Sequence, residues 1–548
     1  MSTMDNVTES SSSSTWIAIA LGLITFLVFI IIYYSGDETK DPAEKKLLKL
    51  PLIADLHSSP ITKPLLNWDK WTVQNGPLPT PKLFGIVPVV VINTSEAVVE
   101  LFSRRSQWYS NRPPSVTMEM ITNAGPGQSR FTLMHDYDDH LKLHHRLLSP
   151  SLGVIAAPQY QPLMEVENAQ LLRDLLSLAK GNNDLIVKTG EVYPLLERTQ
   201  TSVILALHYG WRVPKFEDPI LHEVVHVQQQ VTHLAANPRL PDMMPFLRHV
   251  PYFMSPWKKD AEKLYKEQEE LYMRLYDHGK NAPGWNATKQ ALAVAKKQAP
   301  EGVPDVDLAF TLATSIQGGM ETSPRQILWL FVAGLVHSGW WAKAQSELDK
   351  AVGRDRLPRF TDRAKLAYLD AVTHELFRWR PISPGTIPRR AERADEWNGI
   401  KIAKGAVIIG NAWGIGRDKA VFDPAIGDAS DFVPERWLST TESSETKLRM
   451  DLPLPVFGQG RRMCLGKRIA VDGTFMLITR LLWAFDVVAA EDVDPMEMEV
   501  VGFMTVPKEF SFKLKPRGPW VSDVIAKEWA AIDMSLDKVM GTTTDVES

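Results

Sequence analysis

Among 548 residues there is one cysteine, Cys464. A single thiol excludes an internal disulfide, a zinc knuckle and an iron–sulfur cluster, so Cys464 acts alone or with a group that is not another cysteine. Neither sign of charge is in excess. Lys and Arg number 61 against 65 Asp and Glu, a net charge of −4, which leaves no bulk electrostatic attraction for nucleic acid. Thirty-two Gly and 38 Pro, beside 44% hydrophobic and 23% charged residues, exclude a collagen-like or disordered chain. No fixed-period repeat is visible, and no Gly-x-Gly-x-x-Gly follows a strand pattern, so the chain carries no dinucleotide fingerprint of its own. Long apolar runs are absent too, with one exception.

That exception is Trp16 to Tyr34 (WIAIALGLITFLVFIIIYY), nineteen residues without a charge. At about 1.5 Å per residue it reaches across a hydrocarbon core of about 30 Å. It lacks the basic flank and small-residue cleavage site of a signal peptide, which favours a permanent anchor. Residues 1–39 hold no Lys or Arg, whereas Lys40, Lys45, Lys46 and Lys49 follow the run. The positive-inside rule then puts the Ser-rich tail across the membrane and the bulk of the chain in the cytosol. The expected layout is a lumenal tail (1–15), an anchor (16–34) and a polar, proline-punctuated linker (35–64). One large domain (65–518) and a C-terminal extension (519–548) with an amphipathic helix follow.

Within the domain the apolar spacing predicts helices over 161–187, 217–233, 258–278, 305–350 and 363–379. Short strands are expected in Leu83–Asn93, in Ile400–Ile409 and near Phe510–Leu514. The fold class is therefore mainly α with a small β portion, preceded by one N-terminal transmembrane helix.

The chemistry concentrates in Phe457-Gly-Gln-Gly-Arg-Arg-Met-Cys464-Leu-Gly466. Free cysteine is mostly protonated at neutral pH, and metal ligation removes its proton. Gly458 and Gly460 permit backbone conformations and close approaches that a side chain blocks. Backbone N–H groups in such a turn can point at the sulfur and tune it. Gly466 lets the helix that starts near Lys467 press on a flat ligand, Phe457 shields the sulfur, and Arg462 can neutralise a carboxylate of that ligand.

Phe457-x-x-Gly460-x-Arg462-x-Cys464-x-Gly466 resembles the haem-thiolate signature of the cytochrome P-450 family. Three further matches follow the family's order: Gly318-Gly319-Met320-Glu321-Thr322 resembles its acid–alcohol motif, Glu375-Leu-Phe-Arg378 its ExxR helix, and Phe432-Val-Pro434-Glu435-Arg436-Trp437 the segment that supplies a second arginine to that glutamate. The resemblance runs from about Gly76 to Arg517 and is nearest to microsomal, fungal members. It implies the P-450 fold, haem b with Cys464 as the proximal iron ligand, and a monooxygenase that inserts one atom of O2 into an apolar small molecule, in keeping with secondary metabolism. By the same resemblance Glu321 and Thr322 relay protons on the distal side, and Glu375, Arg378 and Arg436 form a structural network. Gly318-Gly319 and Pro324 independently predict a helix opened at 319–324, because proline offers no N–H to the Met320 carbonyl.

Arg462 and Arg389 are the expected haem-carboxylate contacts. The family's usual Trp-x-x-x-Arg appears here as Leu141-Lys-Leu-His-His145, so His145 or Arg146 is expected to replace one contact, and Gly416 stands where a histidine commonly precedes Arg417-Asp418. Substrate-facing segments map onto Pro113–Met134, Leu312–Gly319, Pro381–Ile387 and Val501–Val506, a mainly apolar set. The stretch after Arg517 is too short for a flavin domain, so electrons are expected from NADPH through a separate FAD/FMN reductase, with cytochrome b5 as a further donor. Lys142, His144, Arg146, Arg461, Lys467 and Arg468 are the candidate docking patch. Location in the endoplasmic reticulum membrane, single-pass with a cytosolic catalytic domain, follows from the anchor and the microsomal likeness. Two other readings stay open: a relative that rearranges or dehydrates its substrate without O2, and a zinc protease through His222-Glu223-Val-Val-His226, a match to HExxH that lacks a third ligand at the required spacing.

Overall fold

The computed structural model describes residues 78–540, apart from 80–81, 84–86, 126–127, 237–238, 300, 338, 441–445, 533–534 and 536–538. They belong to one compact unit, Ala54–Ser548. The expected tail, anchor and linker lie outside the described residues. Among the described residues no helix is long and apolar enough to cross a membrane.

The helices that bear on the site, in chain order, are α1 (Asp139–Leu152), α2 (Ala157–Gly181), α3 (Thr189–Tyr209), α4 (Pro219–Ala236), α5 (Pro256–Asn281), α6 (Asp305–Gly319), α7 (Thr322–Val336), α8 (Ala367–Trp379), α9 (Lys467–Ala484) and α10 (Trp520–Ala531). α1 starts where the Asp138 carboxylate accepts the Leu141 N–H at 2.8 Å, satisfying one of the free donors of the first turn. α9 follows the cysteine loop directly and is buried along nearly its whole length, from Val471 to Ala484. A helix buried on every side is a core element, and its charged members are paired, Asp472 with Arg363 and Arg468 and Arg480 with carbonyls. Around it pack α2, α7 and α8. Trp329, Trp379, Trp437 and Trp483 lie fully buried among them, and each indole N–H finds an acceptor: Thr505 O, Ser430 O, the Glu375 carboxylate and Gly353 O. These four rings are thus buried without an orphaned indole donor.

The β portion is small. Val87–Ile92 lies parallel to Val407–Gly410, with Val90 opposite Ile408, and Arg389–Arg390 adds antiparallel on the far side. Ser511–Pro516 is the middle strand of a second sheet, between Phe485–Ala489 and Ile186–Lys188. A hairpin, Met498–Val501 with Met504–Pro507, packs on α7.

Several predicted elements change in detail. The helix expected over 161–187 stops at Gly181, and Ile186–Lys188 joins the sheet, because pairing with Ser511–Lys513 outweighs helical propensity in a half-exposed segment. The stretch 305–350 is three helices: α6, α7 and Gly339–Ala351. Ile400–Ile409 is two strands with different partners, turned at Gly405 (φ +81°). α10 buries Val521, Val524 and Ile525 against α2, with Trp520 edge-on to Trp483 at 4.7 Å.

Candidate active site

The cysteine loop is built from short turns. Gly458 and Gly460 have φ of +66° and +63°, values that L side chains rarely adopt. At Gly460 space forbids a side chain as well: a Cβ there would lie 1.8 Å from the Phe102 carbonyl oxygen. The loop closes when Cys464 N–H donates to Phe457 O at 2.8 Å, and Phe457 packs edge-on to Phe377 of α8 at 5.0 Å. Burial pushes the Cys464 thiol up; the Gly466 N–H and the Lys467 charge pull it back only in part. Yet the side chain is open to solvent on one side. The sulfur therefore faces a cleft in the protein, and the protein alone does not make it a thiolate. Ligation of a cation would.

Beside this loop stand three guanidinium groups. Arg462 donates to Ser110 O at 2.7 Å, to Thr132 O at 3.4 Å and to His135 O. Arg389 donates to Gln459 O at 2.7 Å and lies 3.7 Å over the Phe102 ring. Arg112 donates to Leu133 O, Ile387 O and Pro388 O at 2.7–2.8 Å. Their partners are carbonyls; no carboxylate pairs with any of them among the described residues. Burial and mutual repulsion push Arg389 down to about 9, burial pushes Arg462 down to about 10, and Arg112 falls well below its ordinary value. Guanidinium groups set in the protein with no carboxylate in direct contact are costly. A group with one metal and two carboxylates would satisfy both the thiol and the arginines, so the donor set fits haem. Arg112 was not foreseen as a site residue; its signal was the Asn111-Arg112-Pro113 triplet, which reads as loop until Leu133 and Ile387 converge on it.

Behind the loop, Glu375 and Arg378 stand one turn apart on α8, both fully buried. Arg378 donates to both Glu375 oxygens at 2.7 and 2.6 Å, and also to Gly416 O, Ala429 O and Asp431 O. The same carboxylate accepts Val433 N at 2.8 Å and Trp437 Nε1 at 3.0 Å, with Arg436 Nε at 3.6 Å. Gly416 fits here because a Cβ would press the Arg378 carbonyl at 3.2 Å.

The family model for cytochrome P450 matches residues 63–514. The chain belongs to the cytochrome P450 family. It is 30% identical over 489 residues to cytochrome P450 monooxygenase criE of Aspergillus cristatus, covering 88% of this chain and 86% of that one. It is 29% identical over 539 residues to monooxygenase aneD of Aspergillus aculeatus, covering 97% and 98%. A zebra fish cytochrome P450 structure with progesterone superposes with a TM-score of 0.68 at 24% identity over 83% of this chain and 99% of that one, which establishes the fold. This P450 is thus a haem-thiolate monooxygenase that works on a small molecule with a redox partner.

In the segment that resembles the acid–alcohol motif, the break between α6 and α7 falls where Gly318-Gly319 and Pro324 predict it. Gly319 lets α6 approach α3: a Cβ would meet Ile204 Cδ1 at 2.8 Å. The Thr322 hydroxyl donates across the break to Gly318 O at 2.8 Å. Glu321 is buried, paired with Arg325 at 3.2 Å, and accepts the Thr232 hydroxyl at 3.1 Å. The carboxylate is thus held in an ion pair beside Thr322.

His145 is partly buried, and burial together with the nearby Arg462 charge pushes it down to about 4. Arg146 is exposed, so the third buried guanidinium is Arg112. His144 departs from the expected docking patch: it is buried, 1% exposed, because its ring faces Thr132 and Thr311. The exposed cations Lys142 and Arg461 meet over the Tyr137 ring, at 5.6 and 4.7 Å. The HExxH residues of α4 do not gather a site. His222 packs on Phe216, Glu223 pairs with Arg274, and His226 meets Gln230 at 2.9 Å. No third ligand joins them among the described residues.

Proposed function

We propose that this P450 oxygenates a mainly apolar small molecule of fungal secondary metabolism, with electrons drawn from NADPH through a separate FAD/FMN reductase. The observation that carries the reading is the solvent-open Cys464 with three guanidinium groups beside it that hydrogen-bond only to carbonyls. Cys464 would hold the haem iron, and Arg112, Arg389 and Arg462 its carboxylates. When bound, haem supplies O2 activation under a thiolate ligand. Thr322 keeps a proton on Gly318 O and would release it toward the cleft on rotation, while Glu321, held by Arg325, favours its replacement from water. Similarity to the Aspergillus monooxygenases supports the substrate class. The Lys142–Tyr137–Arg461 cluster supports docking of an acidic reductase at that face, and the run at 16–34 supports anchorage in the endoplasmic reticulum membrane with this domain cytosolic.

The test is the difference spectrum of the reduced protein with CO, followed by reconstitution with reductase and NADPH. A strongly red-shifted Soret band that is lost in Cys464→Ser, with substrate-dependent NADPH consumption that falls as salt rises, is the expected outcome. Folded protein that binds no haem would overturn it.

A further inference from the structure

Three imidazoles meet close to Arg462, and nothing described above uses them as a group. His140 and His144 stand one turn apart on a single face of α1, and His135 closes on them from the preceding loop. Ring centroids are 4.2 Å apart for His140 and His144, 4.6 Å for His135 and His140, and 5.3 Å for His135 and His144. One ligand-capable nitrogen from each lies within 4.8 Å of the other two.

Two threonine hydroxyls hold the back of the His144 ring. The Thr311 hydroxyl, which donates to Asp307 O at 2.6 Å, lies 3.2 Å from His144 Nδ1, and the Thr132 hydroxyl lies 3.1 Å from the same nitrogen. The other ring nitrogen, His144 Nε2, is buried without a hydrogen-bond partner, as is His135 Nε2. Such orphaned nitrogens cost stability unless something fills them. Both rings are held neutral by burial, the state that binds metal. A hydroxyl behind the ring is the outer-shell support that metal-bound histidines typically have. His140 is exposed and gives the site its door. Asp138 and Asp307 bring negative charge toward His135 against the positive charge of Arg462.

We propose that His135, His140 and His144 form a site for one divalent transition-metal ion of the zinc class, separate from the haem iron, with Thr311 and Thr132 orienting His144 from behind. Zinc–nitrogen bonds of about 2.0–2.1 Å in a tetrahedron need nitrogens roughly 3.3 Å apart, and movement of the exposed His140 ring supplies the closure. Water takes the fourth position. The ion ties α1 to the loop whose carbonyls at Thr132 and His135 hold Arg462.

The test uses full-length, haem-loaded protein without a polyhistidine tag, stripped with a chelator and dialysed against zinc sulfate. Iron in the same sample counts the active sites. One zinc per iron is expected, with about three nitrogens at roughly 2.0–2.1 Å in zinc-edge X-ray absorption. His140→Ala, an exposed change whose CO spectrum reports intact folding, loses the zinc. Thr311→Val weakens binding by roughly 10–100-fold. The double change His222→Ala, His226→Ala leaves uptake as it was. No uptake by the parent protein, or uptake that survives His140→Ala or disappears in the His222/His226 variant, overturns the proposal.

Discussion

Replacing Arg378 by alanine should yield protein that does not hold haem. In the native network the Glu375 carboxylate is fully buried and takes two charge-assisted bonds from Arg378, at 2.6 and 2.7 Å. After truncation its nearest cation is Arg436, at 3.6 Å. The bonds from Val433 N and Trp437 Nε1 do not neutralise it. Leaving one half of a buried pair costs about 3–5 kcal/mol. Arg378 also serves three carbonyls, Gly416, Ala429 and Asp431, and each orphaned acceptor adds of order 1 kcal/mol. Together these reach the range of about 5–15 kcal/mol that holds a whole domain folded. The damage is directed, because the freed carbonyls belong to the segment that leads into the cysteine loop. The assay is the haem-to-protein ratio, read with the urea midpoint. Glu375→Gln combined with Arg378→Met should be less damaged than Arg378→Ala alone, since the carboxylate that would lose its partner is removed as well. An Arg378→Ala protein with parental haem content and an unchanged midpoint would refute the reasoning.

Three further outcomes are expected. Arg112→Met removes one buried cation and should speed haem loss about 10–100-fold, the worth of a charge-assisted hydrogen bond; stopped-flow transfer to a haem scavenger reads it, and the exposed Arg146→Met should change nothing. Thr322→Ala takes away the hydroxyl on Gly318 O, so NADPH consumption should continue while product falls and hydrogen peroxide rises, measured side by side in one reconstituted reaction. His208 is fully buried and burial pushes it down to about 4, so the unfolded chain takes a proton near pH 6.5 that the folded protein refuses until about 4. Stability therefore falls as pH drops through that window, by about 1.4 kcal/mol per pH unit for this group, and His208→Gln should flatten the slope of the urea-derived unfolding free energy against pH by that amount.

Local signals were the legible ones. Gly458, Gly460 and Cys464 sit within one short loop, Glu375 and Arg378 within one turn, and Gly318-Gly319 with Pro324 announce the helix break. Each depends on neighbours in sequence, where spacing and geometry are tied together. Arg112 was not legible, because its carbonyl partners come from Leu133 and from Ile387–Pro388, segments far apart in the chain. From sequence His144 reads as a surface charge for a similar reason. The face of α1 that it occupies is set by α6, whose Thr311 no periodicity on α1 could reveal. His222-Glu223-His226 shows the opposite failure: the spacing is right for helical ligands, and the surroundings supply none. The strand Ile186–Lys188 was hidden because its partner follows some three hundred residues later.

That last pairing has a consequence for how the protein is made. Phe512 and Val187 lie opposite each other, so Val187 leaves the ribosome about 325 residues before its partner. At roughly 5–20 residues per second that is a delay of about 16–65 s. For that time the segment 186–188 has no neighbouring strand, and the sheet it enters exists only once Ser511–Pro516 has been synthesised. A message cut short before codon 511 would give a chain that has nearly all of its helices and cannot finish its second sheet.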